Sequence, residues 1–238
     1  MRGIRNRLWL ASGVVAVALW PGVAVAASSI TGTITFSGTA PTLKPLTMDA
    51  APECAKKHTA PVPSELLVLG KGNTMGNVMV YVSKGLAAGK TWPAPSAPAV
   101  LDQNGCQYKP HVMGIMVGQA YRILNSDGIL HNIHTLPKIN ASFNKPMPAT
   151  LKETTTTFNK AEPIFPIKCD VHGWMRAYVG ALEHPYFAVT GDDGSFALPD
   201  LPPGTYTVEA WHERLGTQAK QVILGAKDSK DVDFTFAR

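Results

Sequence analysis

The stretch that decides the fold is residues 169–175, which read Cys-Asp-Val-His-Gly-Trp-Met. It places a thiol at Cys169, an imidazole at His172 and a thioether at Met175 close together in the chain. Upstream, His131 follows an Asn-Ser-Asp-Gly turn, at the start of a strand-like stretch. One tight loop can therefore present three metal ligands, and a distant strand can add a fourth.

This set of donors indicates copper. Two imidazole nitrogens and one thiolate, with a more distant thioether, form the site type that favours single-electron copper chemistry. Soft sulfur stabilises the reduced ion, and imidazole holds the oxidised one. We therefore predict a mononuclear copper site built from His131, Cys169, His172 and Met175. The alternative is a buried cysteine beside a loop histidine and a core methionine, without metal.

The sequence contains three cysteines. In an exported chain this number allows one disulfide and leaves one thiol. Cys54 and Cys106 lie in polar, loop-like surroundings, whereas Cys169 lies beside two residues able to bind metal. The cysteine count and these surroundings favour a Cys54–Cys106 disulfide and a metal-bound Cys169, and other pairings stay open.

Residues 1–26 are typical of a secretory signal, because three arginines precede an apolar run that ends in small residues. A retained membrane anchor is the alternative, and Pro21, Gly22 and the small-residue site argue against it. No other stretch is apolar for long enough to span a bilayer. We therefore predict export to the periplasm or the cell exterior. Removal of this segment lowers the formal net charge from +5 to about +2. So small a charge gives little support to binding of nucleic acid or of a membrane surface.

The rest of the chain has the patterns of β-sheet. Residues 30–36, 205–210 and 231–236 alternate in polarity, which is typical of strands with one face exposed to water. Residues 77–82 are apolar on both faces, as in an interior strand. We therefore predict an all-β fold.

The segments 125–132 and 169–175 resemble the cupredoxins, the plastocyanin and amicyanin type of blue copper protein. The Cys-x2-His-x2-Met spacing is similar to the short ligand loop of the amicyanins. The resemblance covers roughly residues 98–183 and implies a Greek-key β-sandwich with one type 1 copper ion. It departs from the plastocyanins at Leu130, where they often carry proline.

The resemblance also implies a role for each candidate ligand. His131 and His172 would be the imidazole ligands, Cys169 the thiolate and Met175 the weak axial ligand. The solvent-facing edge of His172 would be the electron exit, with Trp174 in the apolar patch around it.

A second resemblance lies near the C-terminus. Residues 191–196 (Gly-Asp-Asp-Gly-Ser-Phe) and 201–206 (Leu-Pro-Pro-Gly-Thr-Tyr) resemble the carboxypeptidase-regulatory type of prealbumin-like (Ig-like) β-sandwich. Such domains usually begin with a strand that residues 32–35 can supply. The chain is therefore predicted to have four parts. Residues 1–26 are a signal peptide, and residues 27–97 are an N-terminal β segment able to complete the C-terminal sandwich. Residues 98–183 form a cupredoxin-like copper domain, and residues 184–238 form a carboxypeptidase-regulatory-like segment.

Several further residues are expected to support the site. Asn125 and Asn132 flank the ligand strand, and we expect at least one of them to hold the ligand loop by hydrogen bonds. His134 falls on the opposite face of the strand from His131, so we do not expect it to bind the same metal. His111 and His212 are expected to be hydrogen-bonded structural histidines.

The sequence carries none of the glycine-rich, nucleophile-elbow or zinc-protease motifs that would indicate an enzyme. We therefore predict a protein that carries single electrons between redox protein partners. One alternative is a copper storage or delivery protein that uses the same ligands. Another is a non-metal adhesion or carbohydrate-binding sandwich in which Cys169 is disulfide-bonded.

Overall fold

The computed structural model describes residues 28–238, and the predicted signal segment, residues 1–26, lies outside them. The described part contains seventeen strands and one short α-helix, α1 (Pro52–Ala55), so the predicted all-β fold class is confirmed. No helix within residues 28–238 has the length and apolar character needed to cross a membrane. In chain order the strands are β1 (Ser28–Ser37), β2 (Met79–Lys84), β3 (Ala99–Gln103), β4 (Tyr108–Lys109), β5 (Val112–Met116), β6 (Tyr121–Asn125), β7 (His131–Thr135), β8 (Asn144–Met147), β9 (Glu153–Thr156), β10 (Glu162–Lys168), β11 (Arg176–Leu182), β12 (Phe187–Val189), β13 (Ser195–Leu201), β14 (Gly204–His212), β15 (Gly216–Leu224), β16 (Ser229–Asp231) and β17 (Phe234–Ala237).

The strands form four sheets that pack as two sandwiches. In one sandwich, the sheet β13-β1-β16, with β17 also paired to β1, shares a core with the sheet β12-β2-β14-β15. In the other, the sheet β5-β11-β10-β7-β8 shares a core with the sheet β4-β3-β6-β9. We call them the terminal sandwich and the central sandwich.

The terminal sandwich is built from both ends of the described chain. β1 pairs antiparallel with β13 and parallel with β17, which sets Ile30 beside Leu198 and Ile34 beside Phe234. These four side chains are fully buried, and each contributes about 1.5–3 kcal/mol of hydrophobic stabilisation. Because β2 pairs with β12 and β14, we propose that the N-terminal segment completes the C-terminal sandwich and that residues 98–183 are inserted into it.

The segment between β1 and β2 reaches across to the central sandwich. Met48 and Cys54 of this segment are buried in the same core cluster as Cys169. Cys54, in α1, is disulfide-bonded to Cys106, which confirms the predicted pairing. Cys169 is a buried free thiol, so the alternative in which it is disulfide-bonded is wrong.

Candidate metal centre

The hairpin between β10 and β11 carries three of the four predicted ligands. Cys169 follows the last residue of β10, and Met175 precedes the first residue of β11. The Cys169 N–H donates to the Met175 carbonyl at 3.2 Å, and the Met175 N–H donates to the His172 carbonyl at 2.9 Å. These bonds close the loop tightly, so its three side chains project from a small, fixed frame.

The structure brings together three of the predicted side chains. The Nδ1 atoms of His131 and His172 are 3.0 Å apart, and Cys169 Sγ lies 3.9 Å from His172 Nδ1. All three donor atoms lie within 4.8 Å of one another, and all three side chains are buried. Met175 is buried in the same core cluster as Cys169. Two imidazole nitrogens and one sulfur at this spacing fit a single copper ion.

The surroundings of Cys169 lower the pKa of its thiol. Burial raises its pKa, but hydrogen bonds from His131 and from the backbone N–H groups of Asn132 and His172 outweigh burial and lower the pKa. The thiolate is the form of cysteine that binds metals. The local hydrogen bonds therefore favour the ligand form of this residue.

Asp127 is a residue of the site that the sequence did not reveal. Its Oδ2 lies 2.9 Å from His131 Nε2, and its carboxylate also accepts the backbone N–H groups of Gly105 and Cys106, at 2.8 and 2.7 Å. Burial raises the pKa of Asp127, but the hydrogen bond with His131 and those from the two N–H groups outweigh it and hold the pKa well below its usual value. An ionised Asp127 holds a proton on His131 Nε2, so Nδ1, which faces His172, is the atom that would bind a metal once its own proton is lost.

This role could not be predicted from local pattern, because Asp127 belongs to an Asn-Ser-Asp-Gly segment that ordinary turn formation explains fully. The Gly105 and Cys106 N–H groups, which donate hydrogen bonds to the Asp127 carboxylate, lie on a loop some twenty residues away in the chain. Only the tertiary fold brings them together.

The expectation for the flanking asparagines is confirmed at Asn132. Its Oδ1 accepts the Asp170 N–H at 2.6 Å, which fixes the start of the ligand loop to β7. His134 Nδ1 contacts Asp170 Oδ2 at 2.8 Å on the partly exposed side of the strand. His134 is also absent from the cluster of donor atoms, as expected. Asn125 instead donates to the carbonyls of Ile129 and Met147.

The predicted solvent-facing edge of His172 is wrong. His172 is only 6% exposed, and its Nε2 lies 3.5 Å from Cys54 Sγ. The disulfide between α1 and the loop that contains Cys106 covers this edge, and the Trp174 indole N–H donates to the Cys106 carbonyl at 3.0 Å. The prediction failed because the segment that supplies Cys54 comes from outside residues 98–183, to which the cupredoxin resemblance is confined.

His111 is hydrogen-bonded on both ring nitrogens, as expected for a structural histidine. His111 Nδ1 contacts the Arg176 carbonyl at 3.1 Å, and its Nε2 contacts Glu213 Oε1 at 2.5 Å. Glu213 also accepts the Tyr178 hydroxyl at 2.9 Å. Glu213 follows β14, so this network joins the terminal sandwich to the strand that leaves the ligand loop.

Comparison with known proteins finds both predicted resemblances. Residues 177–237 match the carboxypeptidase regulatory-like domain model. Among curated proteins, none is a significant match to the chain. Similar solved structures include a copper(I) form of an amicyanin variant, with 20% identity over 43% of this chain and 97% of that chain at a TM-score of 0.32.

Two further solved structures are similar over part of the chain. A purple cupredoxin from Nitrosopumilus maritimus is 21% identical over 35% of this chain and 98% of that chain, with a TM-score of 0.30. A copper-containing nitrite reductase from Thermus scotoductus is 19% identical over 43% of this chain and 26% of that chain, with a TM-score of 0.34.

Proposed function

We propose that this chain is an exported copper protein that carries single electrons between redox protein partners and is not itself an enzyme. The observation that carries the proposal is the buried cluster of His131 Nδ1, Cys169 Sγ and His172 Nδ1 within 4.8 Å. Met175 would add a weakly bound thioether to this set, because it closes the ligand loop and is buried in the same core cluster as Cys169.

A copper ion held by these residues would supply a one-electron couple. The residues of the chain keep the geometry constant between the two oxidation states. Asp127 orients the His131 ring, Asn132 anchors the loop at Asp170, and the backbone bonds at Cys169 and Met175 keep the hairpin closed. Electron transfer then needs little rearrangement of the ligands, because they keep their positions when the charge of the ion changes.

We further propose that electrons leave through Trp174. The disulfide covers His172 Nε2, whereas the Trp174 ring is partly exposed and its centroid lies 5.1 Å from that of His172. Trp174 is therefore the aromatic side chain that links the buried imidazole to the surface. A redox partner would approach at this tryptophan.

The first test is the visible spectrum of residues 27–238 after loading with cupric ion. We expect an intense band near ~600 nm from the bond between copper and a thiolate. The band should vanish in Cys169→Ala and persist in His134→Ala, the matched control on the same strand. A colourless protein that still binds copper would favour storage or delivery over electron transfer. Absence of binding would refute both metal functions.

A further inference from the structure

A cavity of about 240 Å³ adjoins the ligand loop. Trp174 and Met175 of that loop form part of its wall, and Leu46 and Tyr108 add further apolar surface. Met175 is buried in the same core cluster as Cys169. A small molecule in this cavity would therefore contact side chains of the candidate metal centre, although the disulfide covers the edge of the loop histidine.

The cavity also has polar side chains that a ligand can reach. The Glu65 side chain is 32% exposed and lines the cavity, and its Oε2 lies 3.5 Å from His111 Nδ1. That nitrogen already contacts the Arg176 carbonyl at 3.1 Å, so the Glu65 carboxylate keeps the capacity to accept a hydrogen bond. The side chains of Arg176, which is exposed, and Gln107, which is partly exposed, can donate N–H groups from the same wall.

The charges on the cavity wall nearly balance. Glu65 and Glu213 supply two carboxylates, and His111 and Arg176 supply two basic groups. Glu213 already contacts His111 Nε2 and accepts the Tyr178 hydroxyl. A ligand with a net charge therefore gains little from the wall as a whole, whereas a neutral molecule with hydroxyl groups can use both its acceptor and its donors.

Trp174 gives the cavity an aromatic surface. Its ring is partly exposed, its indole N–H donates to the Cys106 carbonyl at 3.0 Å, and its centroid lies 5.1 Å from that of His172. Aromatic rings pack favourably against one another. An apolar cavity of about 150 Å³ is large enough for benzene, so this cavity has room for one ring that carries hydroxyl groups.

We infer that this cavity binds a neutral one-ring diphenol, which serves as a small-molecule electron donor to the metal centre. The inference rests on the proposed function and adds a class of donor to the redox proteins. One hydroxyl of the diphenol would donate to the Glu65 carboxylate, and its ring would pack against Trp174.

The electron and the proton leave the diphenol separately. One electron reduces the cupric ion to the cuprous ion, and the hydroxyl proton passes to Glu65 and from there to water. Burial raises the pKa of Glu65 above its usual value of 4.5, which makes this carboxylate a better proton acceptor. The neutral phenoxyl radical that remains leaves the cavity, and two such radicals disproportionate to one quinone and one diphenol.

Binding is tested first without metal, by calorimetric titration of metal-free residues 27–238 with benzene-1,4-diol in the absence of oxygen. We expect one-to-one binding, and 1,4-dimethoxybenzene, which lacks the O–H donors, should bind at least about ten-fold more weakly. Glu65→Gln should lower the affinity for the diol at least about five-fold, because a hydrogen bond to a charged acceptor is replaced by a neutral one. Glu183→Gln, at an exposed carboxylate outside this cavity, is the matched control and should leave the affinity unchanged.

Electron donation is tested on the copper-loaded protein by stopped-flow loss of the visible band. The rate should saturate with the concentration of benzene-1,4-diol and fall in Glu65→Gln, while hexacyanoferrate(II), which is too large for the cavity, should reduce both proteins equally fast. Equal affinity for the diol and its dimethoxy analogue, unchanged affinity in Glu65→Gln, or no binding at millimolar concentration would each overturn the inference. If the metal-free protein binds the diol but no visible band forms with copper, the binding site stands and the electron-transfer function fails.

Discussion

Asp127 connects one candidate ligand to the loop that covers another. Its carboxylate is hydrogen-bonded to His131 Nε2, and it also holds the backbone of Gly105 and Cys106. An anionic partner makes the imidazole a more basic ligand, which favours the oxidised ion over the reduced one. One side chain therefore affects both the electronic character of the site and the placement of its cover.

We predict that Asp127→Asn raises the reduction potential of the copper-loaded protein and lowers its copper affinity by about 10- to 100-fold. The measurements are protein voltammetry and competition against a chelator. Asp193→Asn, in an exposed turn, is the control and should change neither quantity. An unchanged potential in Asp127→Asn would show that the carboxylate has no electronic effect on His131.

Trp174 gives a second prediction for a single residue. If it is the electron exit, Trp174→Leu should slow electron self-exchange at least about ten-fold and leave the visible band in place. Trp174→Phe keeps an aromatic ring next to His172 and should retain most of the rate. Trp92→Leu, which removes a partly buried tryptophan of the terminal sandwich, is the control. Equal exchange rates in Trp174→Leu and the parent, measured by NMR line broadening, would place the exit elsewhere.

The short helix α1 is held in position by a disulfide bond. The helix is short, and the Cys54–Cys106 disulfide ties it to a loop 52 residues further along the chain. Closing a loop of this length lowers the conformational entropy of the unfolded chain, which stabilises the folded state by about 4 kcal/mol. We predict that the double variant Cys54→Ser, Cys106→Ser loses up to this free energy of unfolding in urea. The parent protein after reduction should lose the same amount, and equal stability of all forms would contradict the prediction.

The segment that precedes β8 depends on a carboxylate of β10. Glu162 is buried and accepts the backbone N–H groups of Lys138, Ile139 and Asn140, at 2.5, 3.1 and 3.0 Å. Burial raises the pKa of Glu162, but these hydrogen bonds outweigh burial and lower it below the usual value of 4.5. A lowered pKa in the folded state means that the carboxylate contributes stability above pH 4.5. That contribution is lost as the pH falls through the folded-state pKa.

Glu162→Gln should therefore reduce the free energy of unfolding by about 1 kcal/mol at pH 7. The difference from the parent should shrink as the pH falls below 4.5 and through the lowered folded-state pKa, because the parent carboxylate then becomes protonated and uncharged as well. Urea denaturation at several pH values measures it. Glu153→Gln, at an exposed salt bridge, is the control, and a pH-independent difference at Glu162 would refute the argument.

The features that could be predicted from the sequence are those that depend on local residue patterns. The Cys-x2-His-x2-Met spacing places three candidate ligands in one hairpin, and polarity alternation around Ile34 and Phe234 marks strands. The disulfide followed from the cysteine count. The Asp127 hydrogen bond and the covering of His172 could not be predicted, because both depend on contacts between segments distant in the chain. Neither α1 nor the loop at Cys106 carries a pattern that indicates its partner.

Across the whole molecule, the two sandwiches share a buried contact. Met79 and Tyr81 of β2 pack against Val112 and Leu182 of the central sandwich. Residues 98–183 expressed alone would expose this contact and would also lack Cys54. We predict that this fragment melts at a lower temperature than residues 27–238 and holds copper less tightly, as measured by circular dichroism and chelator competition. Equal stability would show that the central sandwich needs neither contribution.

The parallel pairing of β1 with β17 has a mechanical consequence. Ser28 begins β1 and Ala237 ends β17, and the two strands are hydrogen-bonded side by side in the same direction. Tension applied between these two residues would load their hydrogen bonds in shear, so that several must break together. The central sandwich lies outside this load path. Stretching of the chain would therefore leave the geometry around His131 and Cys169 undisturbed for as long as β1 and β17 hold.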